Sequence, residues 1–192
     1  MNLALYGGTF DPIHHGHLIL AREAVEQLGL ERVIFIPAGL SPHKLARTPA
    51  PAALRLAMLA AALADEPRFV LDDSELRCPG PSFTIDTVER IAAGFPGARL
   101  HYLIGADNLR ELHTWRRIDD LRRLVQFTVF GRGTDGTNAT DGFPMIARRI
   151  DISATDIRAR VARGASIRYL TPEPVRSIIA EHHLYQEPSH QF

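Results

Sequence analysis

Several features of secreted and membrane proteins are scarce or missing in this sequence. Its 192 residues include a single cysteine, Cys78, so an internal disulfide is excluded and a reducing compartment is favoured. No apolar stretch is long enough to span a bilayer, and the first residues lack the basic and apolar segments of a secretory signal. We therefore expect a soluble cytoplasmic protein that does not bind a membrane.

An excess of charge of one sign is also missing. Lys and Arg together number 22, as do Asp and Glu, so the formal net charge is zero. The chain has no global basic field to hold nucleic acid, and we expect no nucleic-acid partner. Any site for an anion must therefore be built locally.

Two common phosphate-binding motifs are absent. A dinucleotide-binding dehydrogenase needs G-x-G-x-x-G after its first strand and an acidic residue after its second. Here Gly7 and Gly8 are adjacent, and the second apolar run ends at Pro37. The pattern G-x-x-x-x-G-K-[ST] does not occur, which excludes a Walker-type loop.

Short apolar runs alternate with helical patterns along the chain. Apolar runs without polar alternation are typical of strands buried on both faces of a parallel sheet, and their alternation with helices indicates βαβ units. We expect an α/β fold with a doubly wound, Rossmann-like parallel sheet in one domain, 1–185, with helical segments from about residue 151 and a flexible tail at 186–192. The predicted strands are 3–6, 33–36, 69–71, 102–104 and 127–130, and the predicted helices are 15–28, 52–64, 84–93, 119–124 and 169–185.

Residues with chemical potential are concentrated where the first strand ends. Tyr6 is followed by G-G-T-F-D-P-I-H-H-G-H, which ends at His17. Glycines let an anion approach the backbone, and the N–H groups of a helix start point towards it. His14 and His17 share one face of the first helical turn, and Gly16 between them is expected to leave room for a ligand. Such an arrangement suits charge that develops on a phosphorus centre.

A second motif, I-S-A-T-D-I-R, occupies residues 152–158. Ser153, followed three residues later by Asp156, resembles a capping box that opens a helix. Arg158 lies one turn into that helix, and its guanidinium fork suits phosphate oxygens better than a lysine would. The pattern predicts a second helix start directed at an anion.

Together these motifs resemble the H-x-G-H nucleotidyltransferase superfamily, and within it the bacterial nicotinate-mononucleotide adenylyltransferases. The resemblance runs from about residue 3 to residue 185. Weaker elements between the two motifs favour the nicotinate branch: P-S-F-T at 81–84, G-A-D at 105–107 and the single tryptophan, Trp115. The family often has an Arg-Pro pair after its fifth strand, whereas here Arg132 is followed by Gly133 in a loop that we expect to be flexible over 132–144.

The resemblance implies a reaction between ATP and nicotinate mononucleotide that yields deamido-NAD and pyrophosphate. It implies catalytic roles for His14, His17 and Arg158, with Mg²⁺ bridging ATP oxygens and few or no protein ligands to the metal. The small-molecule substrates would be the main partners, and a homo-oligomer is possible. The implied ATP-binding residues are Gly7, Gly8, Thr9, Phe10, His14, Gly16, His17, Lys44, Gly105, Asp107, Ile152, Ser153, Thr155 and Arg158. The implied acceptor-binding residues are His43, Ser82, Phe83, Thr84 and Trp115.

Trp115 would stack on the pyridine ring, and the backbone at Thr84 would meet its substituent. Because no acidic side chain lies within 81–84 and helix-start N–H groups attract anions, a carboxylate is expected to be preferred to an amide. The alternatives are a phosphopantetheine or nicotinamide-mononucleotide adenylyltransferase, and a nucleotide-binding protein of the same fold without catalysis. A zinc site at His14, His15 and His17 is a further alternative, which neither a cysteine pair nor an HExxH motif supports.

Overall fold

The computed structural model describes residues 1–39, 48–78, 80–131 and 142–186, without the side chain of Asp107. Its strands are β1 (Asn2–Gly8), β2 (Arg32–Pro37), β3 (Phe69–Leu71), β4 (Arg99–Gly105), β5 (Gln126–Gly131) and β6 (Met145–Ala147). Its helices are α1 (His15–Leu28), α2 (Ala52–Leu63), α3 (Ser74–Arg77), α4 (Thr84–Gly94), α5 (Ala106–Leu109), α6 (Ile118–Leu124), α7 (Ala154–Ala162) and α8 (Glu173–Glu181). A 3-10 turn spans Leu112–Thr114.

The described strands form one parallel sheet in the order β3-β2-β1-β4-β5-β6. The chain builds outwards from β1 to β3 and then returns to place β4 on the other side of β1. This reversal of strand order makes a crevice at the carboxyl ends of β1 and β4, which is where ligands bind in such sheets. The predicted doubly wound fold is confirmed, and the turn after Gly8 lies at this crevice.

Both faces of the sheet are covered. Ala4, Tyr6 and Phe35 pack under α1, α2 and the C-terminal helices, while Leu3 and Leu5 pack with α4 and α6 on the opposite face. Each fully buried side chain of this size contributes about 1.5–3 kcal/mol of transfer free energy. Burial on both faces explains why the strand sequences are continuously apolar and why their prediction succeeded.

Several local elements differ from the predictions. The strand β6 was not expected, because its residues adjoin a polar, glycine-rich segment and number only three. The short helices α3 and α5 were not predicted, because four residues are too few to show a helical period. The C-terminal helix begins after Pro172 and ends at Glu181, well inside the predicted 169–185, since Tyr169 and Tyr185 have positive φ angles that are incompatible with a continuing helix.

Among the described residues, no helix has the length and apolar character needed to cross a bilayer. Four parts of the sequence-based site prediction lie outside the described residues: His43, Lys44, Arg132 and the side chain of Asp107. So do most of the predicted loop at 132–144 and nearly all of the predicted tail.

Candidate active site

The turn between β1 and α1 fixes the orientation of the His17 imidazole. His14 precedes the helix in an extended conformation, and its backbone N–H donates a hydrogen bond of 3.3 Å to Nδ1 of His17. An Nδ1 that accepts a hydrogen bond carries no hydrogen, so the neutral ring holds its hydrogen on Nε2. The backbone therefore selects the tautomer in which Nε2 is the donor.

The His14 and His17 rings form a stacked pair. Their centroids are 3.7 Å apart and their planes differ by 23°. Burial, aided by repulsion from His15, lowers the pKa of His14 to about 4, so His14 is neutral at neutral pH. The described residues contain no group of three or more His, Cys, Asp or Glu side chains placed to hold a metal ion, so their geometry gives no support to a zinc site at His14, His15 and His17.

Two aromatic rings pack against the His17 imidazole. The Phe10 and Tyr6 ring centroids lie 5.1 and 6.0 Å from that of His17. Phe10 has a positive φ of 47° and only 3% of its surface is exposed. The buried Phe10 ring thus packs against His17 and away from solvent.

The glycines of the turn are required by the protein's own packing. A Cβ on Gly16 would lie 3.0 Å from Nδ1 of His14 and 3.4 Å from Ile150, so the imidazole occupies the space that we expected for a ligand. A Cβ on Gly7 would lie 2.5 Å from the Tyr102 hydroxyl, which comes from the neighbouring strand β4. At Gly105, by contrast, no described atom lies within 4 Å of such a Cβ.

A buried arginine that sequence analysis did not single out holds the loops of this region together. Arg55 of α2 is 3% exposed and donates hydrogen bonds to the carbonyls of Thr9 at 2.8 Å, Ala38 at 3.0 Å and Ala50 at 3.1 Å. Burial lowers the pKa of the Arg55 guanidinium, and the negative charge of Asp11 partly offsets that shift. Its one sequence signal is that it is the lone arginine of an Ala- and Leu-rich helix.

The buried Asp11 connects the two sequence motifs. Its Oδ1 accepts hydrogen bonds from the Tyr185 hydroxyl at 2.7 Å and from the Ala50 N–H at 3.2 Å. The Arg158 guanidinium donates to the Asp11 carbonyl at 2.7 Å and to Oγ1 of Thr155 at 3.2 Å. Arg158 therefore lies against the H-x-G-H turn, although 147 residues separate it from Asp11.

The predicted cap of the second motif is confirmed. The Ser153 side chain accepts a hydrogen bond of 3.1 Å from the backbone N–H of Asp156, and α7 begins at Ala154. The cap fixes the direction in which the first turn of α7 leaves the strand layer. That direction presents Thr155 and Arg158 to the β1–α1 turn.

Beside this turn lies a cavity of about 190 Å³ at the carboxyl ends of β1, β2 and β4. The end of β1 and the predicted acceptor segment meet there. The sequence-predicted residues that line it are Gly7, Gly8, Thr9, Ser82, Phe83, Thr84 and Trp115. The predicted residues that do not line it are Phe10, His14, Gly16, His17, Gly105, Ile152, Ser153, Thr155 and Arg158.

Polar contacts order the acceptor side of the cavity. The Glu75 carboxylate accepts hydrogen bonds from the hydroxyls of Ser82 at 2.8 Å and Thr87 at 2.7 Å. The Tyr102 hydroxyl, whose pKa is raised by burial, forms a hydrogen bond with Thr84. The Trp115 ring packs edge-on against Tyr102, with centroids 5.7 Å apart. Trp115 is thus held from one side by the core.

The absence of acidic side chains within 81–84 does not extend to the whole cavity. Glu75 and Glu111, which lie outside that segment, line it. Tertiary folding brings Glu75 there because α3 packs beside the end of β2, where the Glu75 carbonyl would lie 2.8 Å from a Cβ on Gly39. The preference for a carboxylate therefore needs another physical basis than the absence of acids.

Comparison with known proteins agrees with this geometry. The family model described as cytidylyltransferase-like matches residues 5–160. A relative from Exiguobacterium sibiricum, named probable nicotinate-nucleotide adenylyltransferase, is 43% identical over 96% of this chain and 99% of its own. A relative of the same name from Synechococcus sp. (strain JA-3-3Ab) is 38% identical over 97% of this chain and 95% of its own.

A solved structure shares the fold. The Plasmodium falciparum nicotinic acid mononucleotide adenylyltransferase complexed with NaAD superposes with a TM-score of 0.76, covers 96% of this chain and 97% of its own, and is 16% identical. At that identity the likeness concerns the fold alone. Because the family model matches most of the chain and the relatives align over nearly their full length, the chain belongs to the cytidylyltransferase-like family, among the relatives named nicotinate-nucleotide adenylyltransferase.

Proposed function

We propose that this protein transfers AMP from ATP to nicotinate mononucleotide, which gives deamido-NAD and pyrophosphate. One observation carries the proposal: the H-x-G-H turn and an aromatic cavity for a flat acceptor adjoin at the carboxyl edge of the sheet, in a chain whose close relatives bear this activity in their names. A cytoplasmic location remains our proposal, supported by the lone cysteine.

In the proposed reaction, a phosphate oxygen of the mononucleotide attacks the α-phosphorus of ATP. The new P–O bond forms as the bond from the α-phosphorus to the pyrophosphate oxygen breaks, and pyrophosphate leaves with its electron pair. A phosphate monoester is largely dianionic near pH 7, so no general base is required. The protein's task is to align two anions and stabilise the added charge.

We assign that stabilisation to Nε2–H of His17, whose tautomer is set by the His14 backbone N–H. His14, neutral and stacked on His17, would hold the ring and contact the same phosphate. On the ATP side we propose Gly7, Gly8, Thr9 and the first turn of α7. From the sequence alone, Lys44 and Asp107 are proposed for ATP and His43 for the acceptor.

Magnesium enters the proposal only as a companion of ATP. The described residues offer no cluster of three metal-binding side chains. The buried carboxylate of the H-x-G-H turn, Asp11, already accepts hydrogen bonds from the Tyr185 hydroxyl and the Ala50 N–H. A resident magnesium site does not fit these residues. Mg²⁺ carried by the ATP phosphates and water fits the chemistry of that ion.

The activity is tested by measuring pyrophosphate release with ATP and three acceptors: nicotinate mononucleotide, nicotinamide mononucleotide and phosphopantetheine. We expect the first to have the highest kcat/KM. Turnover of phosphopantetheine alone would move the protein to a neighbouring specificity, and binding of ATP without turnover of any acceptor would favour a nucleotide-binding protein without catalysis.

Arg158→Lys is expected to weaken ATP binding by about tenfold or more, because a lysine keeps the charge but loses the planar fork. In the structure this fork reaches the Asp11 carbonyl and Thr155 together, which a single ammonium on a flexible stem cannot reproduce. Calorimetry with a non-hydrolysable ATP analogue measures the effect. Arg160→Lys, on the same helix and bonded to the Ser166 carbonyl, is the control; unchanged affinity in Arg158→Lys would refute the assignment.

Trp115→Ala is expected to raise the KM for the mononucleotide about tenfold, because the indole supplies the flat surface on which the pyridine ring stacks. The KM for ATP should stay within about twofold, since Trp115 lines the acceptor cavity and His17 does not. Steady-state kinetics with each substrate varied in turn gives both values. Trp115→Phe retains a flat ring and should recover most of the loss; an equal loss for ATP would indicate a packing defect instead.

A further inference from the structure

The charged side chains around the acceptor cavity do not by themselves favour an anion. Glu75 and Glu111 contribute two carboxylates to the lining. Among the described lining residues, Arg116 is the only one with a basic side chain. A ligand that carries a carboxylate therefore meets two like charges and one opposite charge, and the position of that cation decides which effect is larger.

Arg116 is held over the segment that forms the acceptor side of the cavity. Its guanidinium carbon lies 4.5 Å from the ring centroid of Phe83, the residue that precedes α4. A guanidinium on an aromatic face is attracted by the ring and keeps its plane oriented, which leaves the N–H edge available to a planar anion. The cation is therefore placed before a ligand arrives.

Arg116 forms no ion pair with a carboxylate in the described part of the chain. The adjacent Arg117 differs, because it forms ion pairs with Glu89 at 2.8 Å and Asp120 at 2.7 Å. No ion pair of Arg116 occurs among the described residues, and Glu75 directs its two oxygens to Ser82 and Thr87. A ligand carboxylate could therefore form an ion pair with Arg116 without breaking an ion pair inside the protein.

We propose that Arg116 determines acceptor specificity, by favouring a mononucleotide with a carboxylate on its aromatic ring over the neutral amide. The inference rests on the proposed function, because it names the group that distinguishes two acceptors at that site. Arg116 acts by charge and by the planar geometry of its fork, whereas the Trp115 surface serves both acceptors alike.

The test compares kcat/KM for nicotinate and nicotinamide mononucleotide in the wild type, Arg116→Gln and Arg116→Lys. For Arg116→Gln we expect kcat/KM with the acid to fall by about fivefold to thirtyfold, the range for one partly exposed charged contact. With the amide, kcat/KM should change by less than about twofold, as should the KM for ATP. Arg116→Lys should recover part of the acid activity, because it restores the charge without the fork.

Arg117→Gln is the matched control, since it removes the same charge one position along the chain from a side chain that pairs outside the cavity. Added salt should lower the acid-to-amide ratio of the wild type and leave that of Arg116→Gln nearly unchanged, because salt screens an exposed ion pair. Calorimetric titration of each variant with the two mononucleotides gives the same comparison without turnover.

The outcomes separate the two proposals. An unchanged acid-to-amide ratio in Arg116→Gln, with the acid still turned over, overturns the inference and leaves the proposed function intact. An equal fall with both acceptors, or the same change in Arg117→Gln, also overturns it, because the effect would then be packing or a general field. Absence of pyrophosphate release with either mononucleotide in the wild type overturns both.

Discussion

His17→Ala should lower kcat by about a hundredfold to a thousandfold while the protein remains folded, the usual cost of losing one donor to a developing charge. The physical reason is the fixed Nε2–H: the His14 N–H occupies Nδ1, and Phe10 and Tyr6 hold the ring. The side chain is only partly buried, so its removal leaves most of the core untouched. Steady-state kinetics measures the rate, and circular dichroism reports the fold.

His15→Ala provides the matched control for that experiment. His15 is the adjacent imidazole at the start of α1, and its backbone N–H bonds to the Leu170 carbonyl, an interaction that alanine retains. We expect kcat within about threefold of the wild type, because no role in charge stabilisation is assigned to this ring. A His17→Ala enzyme within about tenfold of the wild type would remove His17 from the chemistry.

Arg55→Met should lower the free energy of unfolding by about 2–4 kcal/mol, because three partly buried carbonyls lose their donor at once. Methionine fills much of the same volume, so the effect reports the hydrogen bonds more than a cavity. We also expect a lower kcat, since the carbonyls of Thr9, Ala38 and Ala50 would no longer be held together. Urea denaturation measures the stability, and pyrophosphate release measures the rate.

Arg22→Met tests whether the loss is specific. Arg22 is an exposed arginine of α1 that pairs with Glu26 and Glu66, and such surface pairs contribute about 0–1 kcal/mol. Arg55→Lys should lie between the wild type and Arg55→Met, because one ammonium cannot reach all three carbonyls in the fork geometry. Equal stability losses in Arg22→Met and Arg55→Met would refute the proposed role of the buried guanidinium.

The sequence alone determined those features that depend on neighbouring residues. The long strands could be predicted because burial on both faces requires continuous apolar runs, as in β1 and β2. The Ser153 cap of α7 could be predicted because a cap needs a particular residue within one turn of its partner. The sequence motifs also indicated the family that the comparisons establish.

The tertiary structure alone decided the contacts that join distant residues. The Tyr185 hydroxyl meets Asp11 across 174 residues, and Arg55 joins the β1–α1 turn to both ends of the connection between β2 and α2. Glu75 and Arg116 enter the acceptor cavity from different parts of the chain, so the charges around it could not be read from the 81–84 segment. Periodicity specifies which face of an element is buried, but not which element packs against it. The charge balance of this cavity is therefore set by where tertiary folding places α3, which carries Glu75, and the segment between α5 and α6, which carries Glu111 and Arg116.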